Sequence, residues 1–415
     1  MKISDTRLRP QLRMFDAVST GLAAILGAGI FAVISPAAGI AGPALLISLT
    51  LAAFVALCNA LSSAQLAVVF PRSGGTYEFG RRMLGSWWGF GAGWMFLTAN
   101  TVGPGVTALA FAGYVHAVWA LPVRTVAVLA TLSMTALNAA GIRRSVRVTD
   151  VVVVISVLSL LAVVLIGFAG WNSSNIVPLA PNGIGGVLQA TGLIFFAYTG
   201  YSRIATLVEE VHDPRRTIPK ATVIALGTAL ALYLAVALTA VGVLGASRLS
   251  GSMSPLQTTM NAVGSGLGVA IVVVGALLTT FNEGLSDLLG VSRVAFAMGR
   301  QADLPQTLAR LGAEQNPWRS VVFVGAIAML VAAFAPFGVA VAVSSFGTLL
   351  YYTVTNLSAL RLKKEQRMFP VGLSVAGLIG CIGLAVSLSR SIVVVGLGIL
   401  LAGLAFRAVR LRVLR

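Results

Sequence analysis

Two carboxylates lie four residues apart in an otherwise apolar stretch of the sequence. Glu283 and Asp287 belong to the segment 282–287 (NEGLSD), and a spacing of four residues places both on one face of a helix. An ionised carboxylate inside a bilayer costs on the order of 2.5–3.5 kcal/mol on insertion scales, so it normally faces a cavity, a cation or a counter-charge. This pattern predicts a functional site that holds a cation or carries a proton. The structural alternative is an ion pair with Arg203 or Arg293.

Glycines interrupt two other apolar segments. The segment 25–32 (ILGAGIFA) contains Gly27 and Gly29, and the segment 195–201 (FFAYTGY) contains Gly200 beside polar side chains. Glycine weakens a helix interior, and the backbone groups that it frees are tolerated at membrane depth only when they are buried in protein or line a cavity. Broken helices at corresponding positions of two halves favour the central site of a transporter. The alternative is close packing of small residues between helices.

The remaining residue types argue against several other kinds of chemistry. The chain has two histidines and two cysteines, and Cys58 and Cys381 both fall in apolar runs, which disfavours a disulfide framework or a zinc site. The pattern G-x-G-x-x-A at 27–32 lacks the acidic residue that a dinucleotide site needs, and no ATP-binding G-x-x-x-x-G-K-[ST] loop occurs. We therefore expect no catalytic residues and no cofactor, apart from Na⁺ or H⁺ as a coupling ion.

The elements that must position these residues are membrane-spanning helices. Of the 415 residues, 57% are hydrophobic and 10% are charged, which excludes an ordinary soluble enzyme. Twelve apolar runs approach bilayer length, with short connections. They are 14–36, 43–69, 86–118, 122–140, 148–169, 184–207, 219–244, 268–297, 319–336, 338–360, 370–388 and 390–406. The sequence predicts an all-α polytopic membrane protein with one domain over 1–415.

The basic residues set the expected orientation in the membrane. With the amino terminus inside, all of the 29 Lys and Arg residues except Arg124, Arg248 and Arg390 fall on the cytoplasmic side. We therefore predict a plasma (inner) membrane protein with both termini in the cytoplasm. The net charge of +17 then reflects a basic face toward anionic lipid, and we expect no nucleic-acid partner.

Three blocks of sequence carry a family resemblance. They are 64–66 (AQL) with 70–77 (FPRSGGTY), then 195–200 running into 209–220 (EEVHDPRRTIPK), and finally 292–300 (SRVAFAMGR) with 303–305 (DLP). These blocks resemble amino acid permeases of the amino acid-polyamine-organocation superfamily. The resemblance implies a LeuT-like pair of inverted five-helix repeats, at about 14–169 and 184–360, followed by two extra helices at about 370–406.

The resemblance also implies where a substrate would bind. The broken first span would present backbone N–H groups to the substrate carboxylate, since a half-helix N-terminus carries partial positive charge. The substrate ammonium would meet backbone carbonyls at Ile25 and around Phe196 and Thr199. Phe196 would also be an aromatic gate over the bound amino acid. The implied substrate-binding residues are Ile25, Gly27, Ala28, Gly29, Ile30, Asn100, Phe196, Thr199 and Gly200. We expect a side chain introduced at Gly29 to occupy the space of the carboxylate and leave folding intact.

The resemblance implies an ion site between the first and eighth spans. Ser286 and Asp287 fall where such folds place sodium ligands on the eighth span. Some related proton-coupled members carry a lysine on the fifth span, and the matching position here is Ser156. A hydroxyl there would leave the cavity net negative and suited to a mobile cation. Glu283 is the alternative proton carrier.

These observations predict a secondary active transporter of amino acids that works by alternating access. The favoured form is H⁺- or Na⁺-coupled symport of a neutral amino acid. One alternative is uncoupled exchange of cationic amino acids or amines. Another is a non-transporting receptor or a membrane enzyme with the same fold. The expected partners are the substrate and the bilayer, with the chain acting as a monomer or weak homodimer.

Overall fold

The computed structural model describes residues 14–70, 75–141, 146–206, 211–312 and 317–413. The motif residues 71–74 and 209–210 and the basic residues of segment 2–13 lie outside the described residues. Within the described ranges the α-helices are α1 (Met14–Ile25), α2 (Ile34–Ala41), α3 (Leu45–Val69), α4 (Gly75–Met83), α5 (Ser86–Trp119), α6 (Val123–Ala139), α7 (Val146–Gly167), α8 (Gly183–Ile194), α9 (Ser202–Thr206), α10 (Pro214–Ser250), α11 (Pro255–Ala262), α12 (Gly266–Arg300), α13 (Trp318–Phe334), α14 (Phe337–Leu360), α15 (Val371–Ser387) and α16 (Arg390–Val413).

Many of these helices are suited to a bilayer. Eight helical stretches in the described part of the chain are long and apolar enough to cross a membrane, judged by length and composition. The helices α6, α13 and α15 are apolar but shorter, at 17 residues each. The stretch Met14–Val69 contains two predicted spans, which join at the 3₁₀ turn Gly42–Ala44. This architecture agrees with the predicted all-α polytopic membrane protein, because helices satisfy their backbone groups within lipid.

Prolines and glycines set the helix boundaries. Pro214 and Pro255 are the first residues of α10 and α11, where the missing N–H costs no intrahelical hydrogen bond. The helix α10 runs to Ser250, but Gly245 bends it with a φ of +73°, a backbone conformation that glycine adopts readily. The bend follows the predicted end of the seventh span at 244. The short helices α4 and α11 occupy segments that the sequence treats as connections.

Two broken spans lie at the centre of the helix packing. The first span comprises α1 and α2 and packs along α10, while the sixth comprises α8 and α9 and contacts α3. The helix α12, which is the eighth span, packs along α5 and α7. Five fully buried tyrosines lie in this central region, at 114, 198, 201, 233 and 352. The last two helices are peripheral, with α15 on α3 and α14, and α16 on α5 and α14.

Away from the broken spans, four polar side chains form a group that we call the Asp303 cluster. It comprises Tyr77, Arg81, Asp303 and Arg407. The Tyr77 hydroxyl donates to Asp303 and accepts from Arg81 at 2.9 Å. Arg407 of α16 lies 3.9 Å from the other Asp303 oxygen and donates to the Ser86 carbonyl at 2.6 Å. Burial, followed by the hydrogen bond to Asp303, raises the pKa of Tyr77 above its ordinary value. The cluster ties α4, α16 and the turn after α12 together.

Candidate functional site

Both spans that the sequence predicts to be broken are irregular at the predicted residues. In the first span α1 ends at Ile25, and the chain resumes through the π-helical turn Gly29–Val33 before α2. In the sixth span α8 passes through the 3₁₀ segment Phe195–Tyr201 into α9. Such departures from α-helical geometry are frequent at functional sites and alter which backbone groups find a partner within the helix.

The irregular segments 26–33 and 195–201 are called the first and the second break. The two breaks are in direct contact, and glycines make that contact possible. A Cβ atom on Gly29 would lie 2.6 Å from the Cα of Ala197. A Cβ atom on Gly200 would overlap the Ala24 carbonyl and lie 2.8 Å from the nitrogen of Ile25. The space beside Gly29 is therefore filled by the sixth span, so the expectation that a side chain there leaves folding intact is wrong.

Glu283 bonds to the backbone of the broken first span. The Ala28 N–H donates to Glu283 Oε2 at 2.6 Å, and a Cβ atom on Gly27 would overlap the same carboxylate. The glutamate is 8% exposed. In the part of the chain that the structure describes, no Lys or Arg forms an ion pair with it. The N–H group that the resemblance assigns to a substrate carboxylate thus binds a carboxylate of the chain itself.

Asp287 has a different environment one helical turn further along α12. It forms an ion pair with Arg203 of α9, and the two side chains are 25% and 28% exposed. The backbone of α5 approaches the pair at Gly103, where a Cβ atom would lie 3.2 Å from Asp287 Oδ2. The ion pair that the sequence left open as a structural alternative is therefore formed by Asp287, and it joins the sixth span to the eighth.

Ser156 of α7 lies beside the same face of α12. Its hydroxyl is 2.5 Å from the Thr279 hydroxyl and donates to the Val152 carbonyl at 2.7 Å. Thr279 precedes Glu283 by one helical turn, so α7 meets α12 next to the glutamate. Ser286 is half-buried on α12 beside Asp287. The four residues predicted for ion coupling therefore lie on α12 or against it.

Other predicted residues make local contacts. The Asn100 amide donates to the Phe96 carbonyl of its own helix at 2.9 Å. The Thr199 hydroxyl donates to the Phe196 carbonyl at 2.9 Å, within the second break. Phe196 is 6% exposed, and Ile30 is fully buried in the π-helical turn. Thr199 and Phe196 thus lie in the second break and Ile30 in the first, whereas the Asn100 side chain bonds within α5.

Two tyrosines bond to the backbone at the breaks, and the sequence did not predict these contacts. The Tyr233 hydroxyl of α10 donates to the Ile25 carbonyl at 2.7 Å and lies 3.3 Å from that of Ala197. The Tyr114 hydroxyl of α5 donates to the Phe31 carbonyl at 2.7 Å. The Ile25 carbonyl, implied as a ligand of the substrate ammonium, is therefore hydrogen-bonded within the protein. A tyrosine inside an apolar run was the available signal, but its partner depends on tertiary packing.

A cavity of about 200 Å³ reaches the first break at Ala32. It is lined by the end of the first span, by α5, by the turn at 250–253 and by the start of α14. Ser35 closes one wall because its hydroxyl lies 2.7 Å from the Ser252 carbonyl and 2.9 Å from that of Leu249. Two parts of its lining, the turn at 250–253 and the start of α14, lie at span ends that the charge distribution predicts to be on the outer side.

Comparison with known proteins identifies relatives along nearly the whole chain. A family model described as amino acid permease matches residues 12–409. An uncharacterized transporter of Mycobacterium tuberculosis (strain ATCC 25618 / H37Rv) is 42% identical over 414 residues, covering 97% of this chain and 92% of the relative. The branched-chain amino acid permease BcaP of Bacillus subtilis (strain 168) is 28% identical, covering 91% and 86%. The methylthioribose transporter of the same organism is 27% identical, covering 86% and 81%.

These relatives are named as transporters rather than enzymes, and the predicted resemblance is confirmed. The broken spans, the apolar helices and the family match support the same conclusion. The chain is an integral membrane transporter that belongs to the amino acid permease family of the amino acid-polyamine-organocation superfamily.

Proposed function

We propose that the protein carries a neutral amino acid across the cell membrane by alternating access, driven by a gradient of H⁺ or Na⁺. The observation that carries this proposal is the contact between the two broken spans, with the Glu283 carboxylate bound to the Ala28 N–H. A half-helix that ends at membrane depth has backbone groups available to a polar substrate. Movement of one span against the other would open the site to either side.

The proposal includes the arrangement of the whole chain. It comprises twelve spans as two inverted repeats, at about 14–169 and 184–360, with extra helices at about 370–406 and both termini in the cytoplasm. The chain would act as a monomer or weak homodimer and require no cofactor beyond the coupling ion. The cytoplasmic excess of Lys and Arg supports the orientation.

The choice of a neutral substrate rests on charge and on the relatives. Arg203 offsets the charge of Asp287, so the pair contributes little net charge to the site. Phe196, Ile30 and Ala197 supply apolar surface around the breaks. The name of BcaP describes a branched-chain amino acid permease, which fits an apolar side chain in such a site. For the coupling ion, the candidates are Glu283, Asp287, Ser286 and Ser156.

A second candidate function is uncoupled exchange of cationic amino acids or amines. The specific observation in its favour is Glu283, a buried carboxylate that pairs with no Lys or Arg among the described residues. A substrate cation could supply the missing counter-charge. In that case imposed ion gradients would not drive accumulation, and substrate inside the vesicle would be required for uptake.

Transport by purified protein in liposomes tests the proposal. Uptake of radiolabelled neutral, cationic and anionic amino acids is measured with an inward H⁺ gradient, an inward Na⁺ gradient, or neither. We expect concentrative uptake of a neutral amino acid with one of the two gradients. Uptake that needs preloaded substrate and ignores both gradients would establish the exchanger instead. Failure to transport any amino acid under all conditions would overturn the proposal.

A further inference from the structure

The donor that Glu283 uses is one that an amino acid would also need. The Ala28 N–H points at Oε2 from 2.6 Å, at the place where the first span loses α-helical geometry. Gly27 has no side chain, and this absence makes room for the carboxylate directly beside the backbone. A backbone N–H at such a break is a general site for carboxylates and other anions. The side chain therefore occupies an anion site.

The charged and titratable groups around Glu283 determine whether it takes up a proton when it no longer accepts the hydrogen bond from Ala28. Asp287 lies one turn further along α12 and carries the same charge. Arg203, from α9, pairs with Asp287 rather than with Glu283. The titratable group on α10 that interacts with Glu283 is Tyr233, whose hydroxyl donates to Ile25. On α5 and α6, the side chains against Gly284 are Thr107 and Met134, which carry no charge.

We propose that Glu283 and the carboxylate of the substrate compete for the Ala28 N–H, so that each amino acid that binds makes Glu283 take up one proton. This inference rests on the function proposed above and gives it a coupling step. When the substrate carboxylate takes the donor, an ionised Glu283 loses its hydrogen bond and lies against the negative charge of that carboxylate, because Arg203 already offsets the charge of Asp287. Like charges at short range in a desolvated site favour protonation of one of them.

The competition fixes the sign of the pH dependence. In the free protein at higher pH, ionised Glu283 holds the donor and opposes binding of the substrate. As the pH falls, the proton needed for displacement becomes more available and the apparent affinity rises. One proton taken up per substrate corresponds to a change of about tenfold in Kd per pH unit while Glu283 is ionised in the free protein. A proton that enters and leaves with the substrate is symported with it.

The test measures binding and proton uptake in detergent-purified protein. L-leucine and the other common neutral amino acids are titrated at pH 6, 7, 8 and 9, so that the range includes conditions in which Glu283 is ionised, and proton uptake is followed with an indicator dye in weak buffer. Isoamylamine, which is leucine without its carboxylate, is the matched ligand. We expect the wild-type protein to bind the amino acid more tightly at low pH and to take up about one proton per molecule bound. We expect no proton uptake with isoamylamine, because it has no carboxylate to displace Glu283.

Two matched substitutions complete the test. Glu283→Gln removes the charge at nearly constant volume, so we expect tight binding that no longer depends on pH and no proton uptake. Glu365→Gln makes the same change at an exposed turn, and we expect wild-type behaviour. For folded E283Q, exchange of internal for external substrate should persist, whereas accumulation driven by a proton gradient should fail.

The outcomes separate this inference from the proposed function. Amino acid binding with the same Kd at every pH and without proton uptake, in the wild-type protein, would overturn the inference and leave the transport function standing. Loss of binding in folded E283Q would also overturn it, because Glu283 would then be a ligand of the substrate. Binding of no amino acid at any pH would overturn the proposed function itself. The proton measurement needs no variant, so poor folding of E283Q leaves the inference testable.

Discussion

At the residue scale, tyrosine hydroxyls donate hydrogen bonds to backbone carbonyl groups at the breaks. Tyr233 donates to the Ile25 carbonyl and Tyr114 to the Phe31 carbonyl, each at 2.7 Å. A buried carbonyl that loses its donor costs about 1–3 kcal/mol. Tyr198 provides a contrast, because its ring lies 5.3 Å from that of Tyr233 while its buried hydroxyl has no hydrogen-bond partner in the described structure.

Tyr233→Phe should therefore lower the free energy of unfolding by about 1–3 kcal/mol, since the Ile25 carbonyl would lose its donor. Uptake should fall with it, because the first break is held by this bond. Tyr198→Phe removes a hydroxyl that donates to nothing in the described structure, so its stability should match the wild type. Denaturant unfolding and liposome uptake of both variants provide the measurement. Equal destabilisation by the two substitutions would contradict the assigned role of Tyr233.

Gly200 provides a second prediction at this scale. Gly200→Ala would place a methyl group against the Ala24 carbonyl and the nitrogen of Ile25, so the two broken spans would have to separate. We expect loss of uptake and reduced thermal stability. Gly227→Ala in α10 is the control, because a Cβ atom there would meet no described atom within 4 Å, and alanine favours a helix by about 1 kcal/mol over glycine. Normal uptake by the Gly200 variant would show that close contact of the spans is dispensable.

At the element scale, hydropathy and glycine positions in the sequence predicted the helices and the irregular segments, but they did not predict the contacts between helices. The apolar runs correspond to helices, and the glycines of 25–32 and 195–201 mark the observed irregular segments because glycine weakens a helix locally. The choice of Arg203 rather than Arg293 as the partner of Asp287 depended on the tertiary position of α9, from which Arg203 reaches α12. Local sequence does not encode that position. The binding of Glu283 to Ala28 joins residues 255 positions apart, and it was not predicted.

The Arg203–Asp287 ion pair is the element-scale feature that a mutant cycle can measure. Asp287→Asn leaves Arg203 without that counter-charge, and Arg203→Gln does the reverse. Each single variant should be less stable than the wild type, and the double variant should be more stable than the sum of the two losses predicts. Because both side chains are about a quarter exposed, we expect a coupling energy of about 1 kcal/mol rather than the larger value of a fully buried pair. Additive losses in denaturant unfolding would mean that the pair contributes no stability.

At the scale of the whole molecule, the Asp303 cluster joins segments that are far apart in the chain. Tyr77 and Arg81 come from α4, and Arg407 comes from the peripheral helix α16. The Arg407 guanidinium is also packed over the rings of Trp87 and Phe90, at 5.1 and 4.8 Å. The second of the two helices beyond the proposed repeats, α16, is thus held against α4, α5 and the turn after α12 by the buried Arg407 side chain.

Asp303→Asn tests this connection. The substitution removes the negative charge that accepts from Tyr77 and faces Arg407, so we expect a loss of about 1–3 kcal/mol in the free energy of unfolding. Asp213→Asn is the matched control because its contact with Arg216, at 3.7 Å, is largely exposed. Thermal unfolding in detergent compares the two variants. Equal stability of the Asp303 variant and the wild type would show that the cluster does not hold α16 in place.

The contact between the two breaks has an evolutionary consequence. It is made by backbone and by the smallest side chains, at Gly29 against Ala197 and at Gly200 against Ala24. The contact between the two spans therefore does not depend on the substrate. Neighbouring side chains, such as those of Phe196 and Ile30, can differ between relatives without changing this contact. This independence agrees with the names of two relatives, which describe substrates as different as branched-chain amino acids and methylthioribose. Under the proposed function, substitutions at such neighbouring positions would change which substrate is recognised while the contact between the two spans is kept.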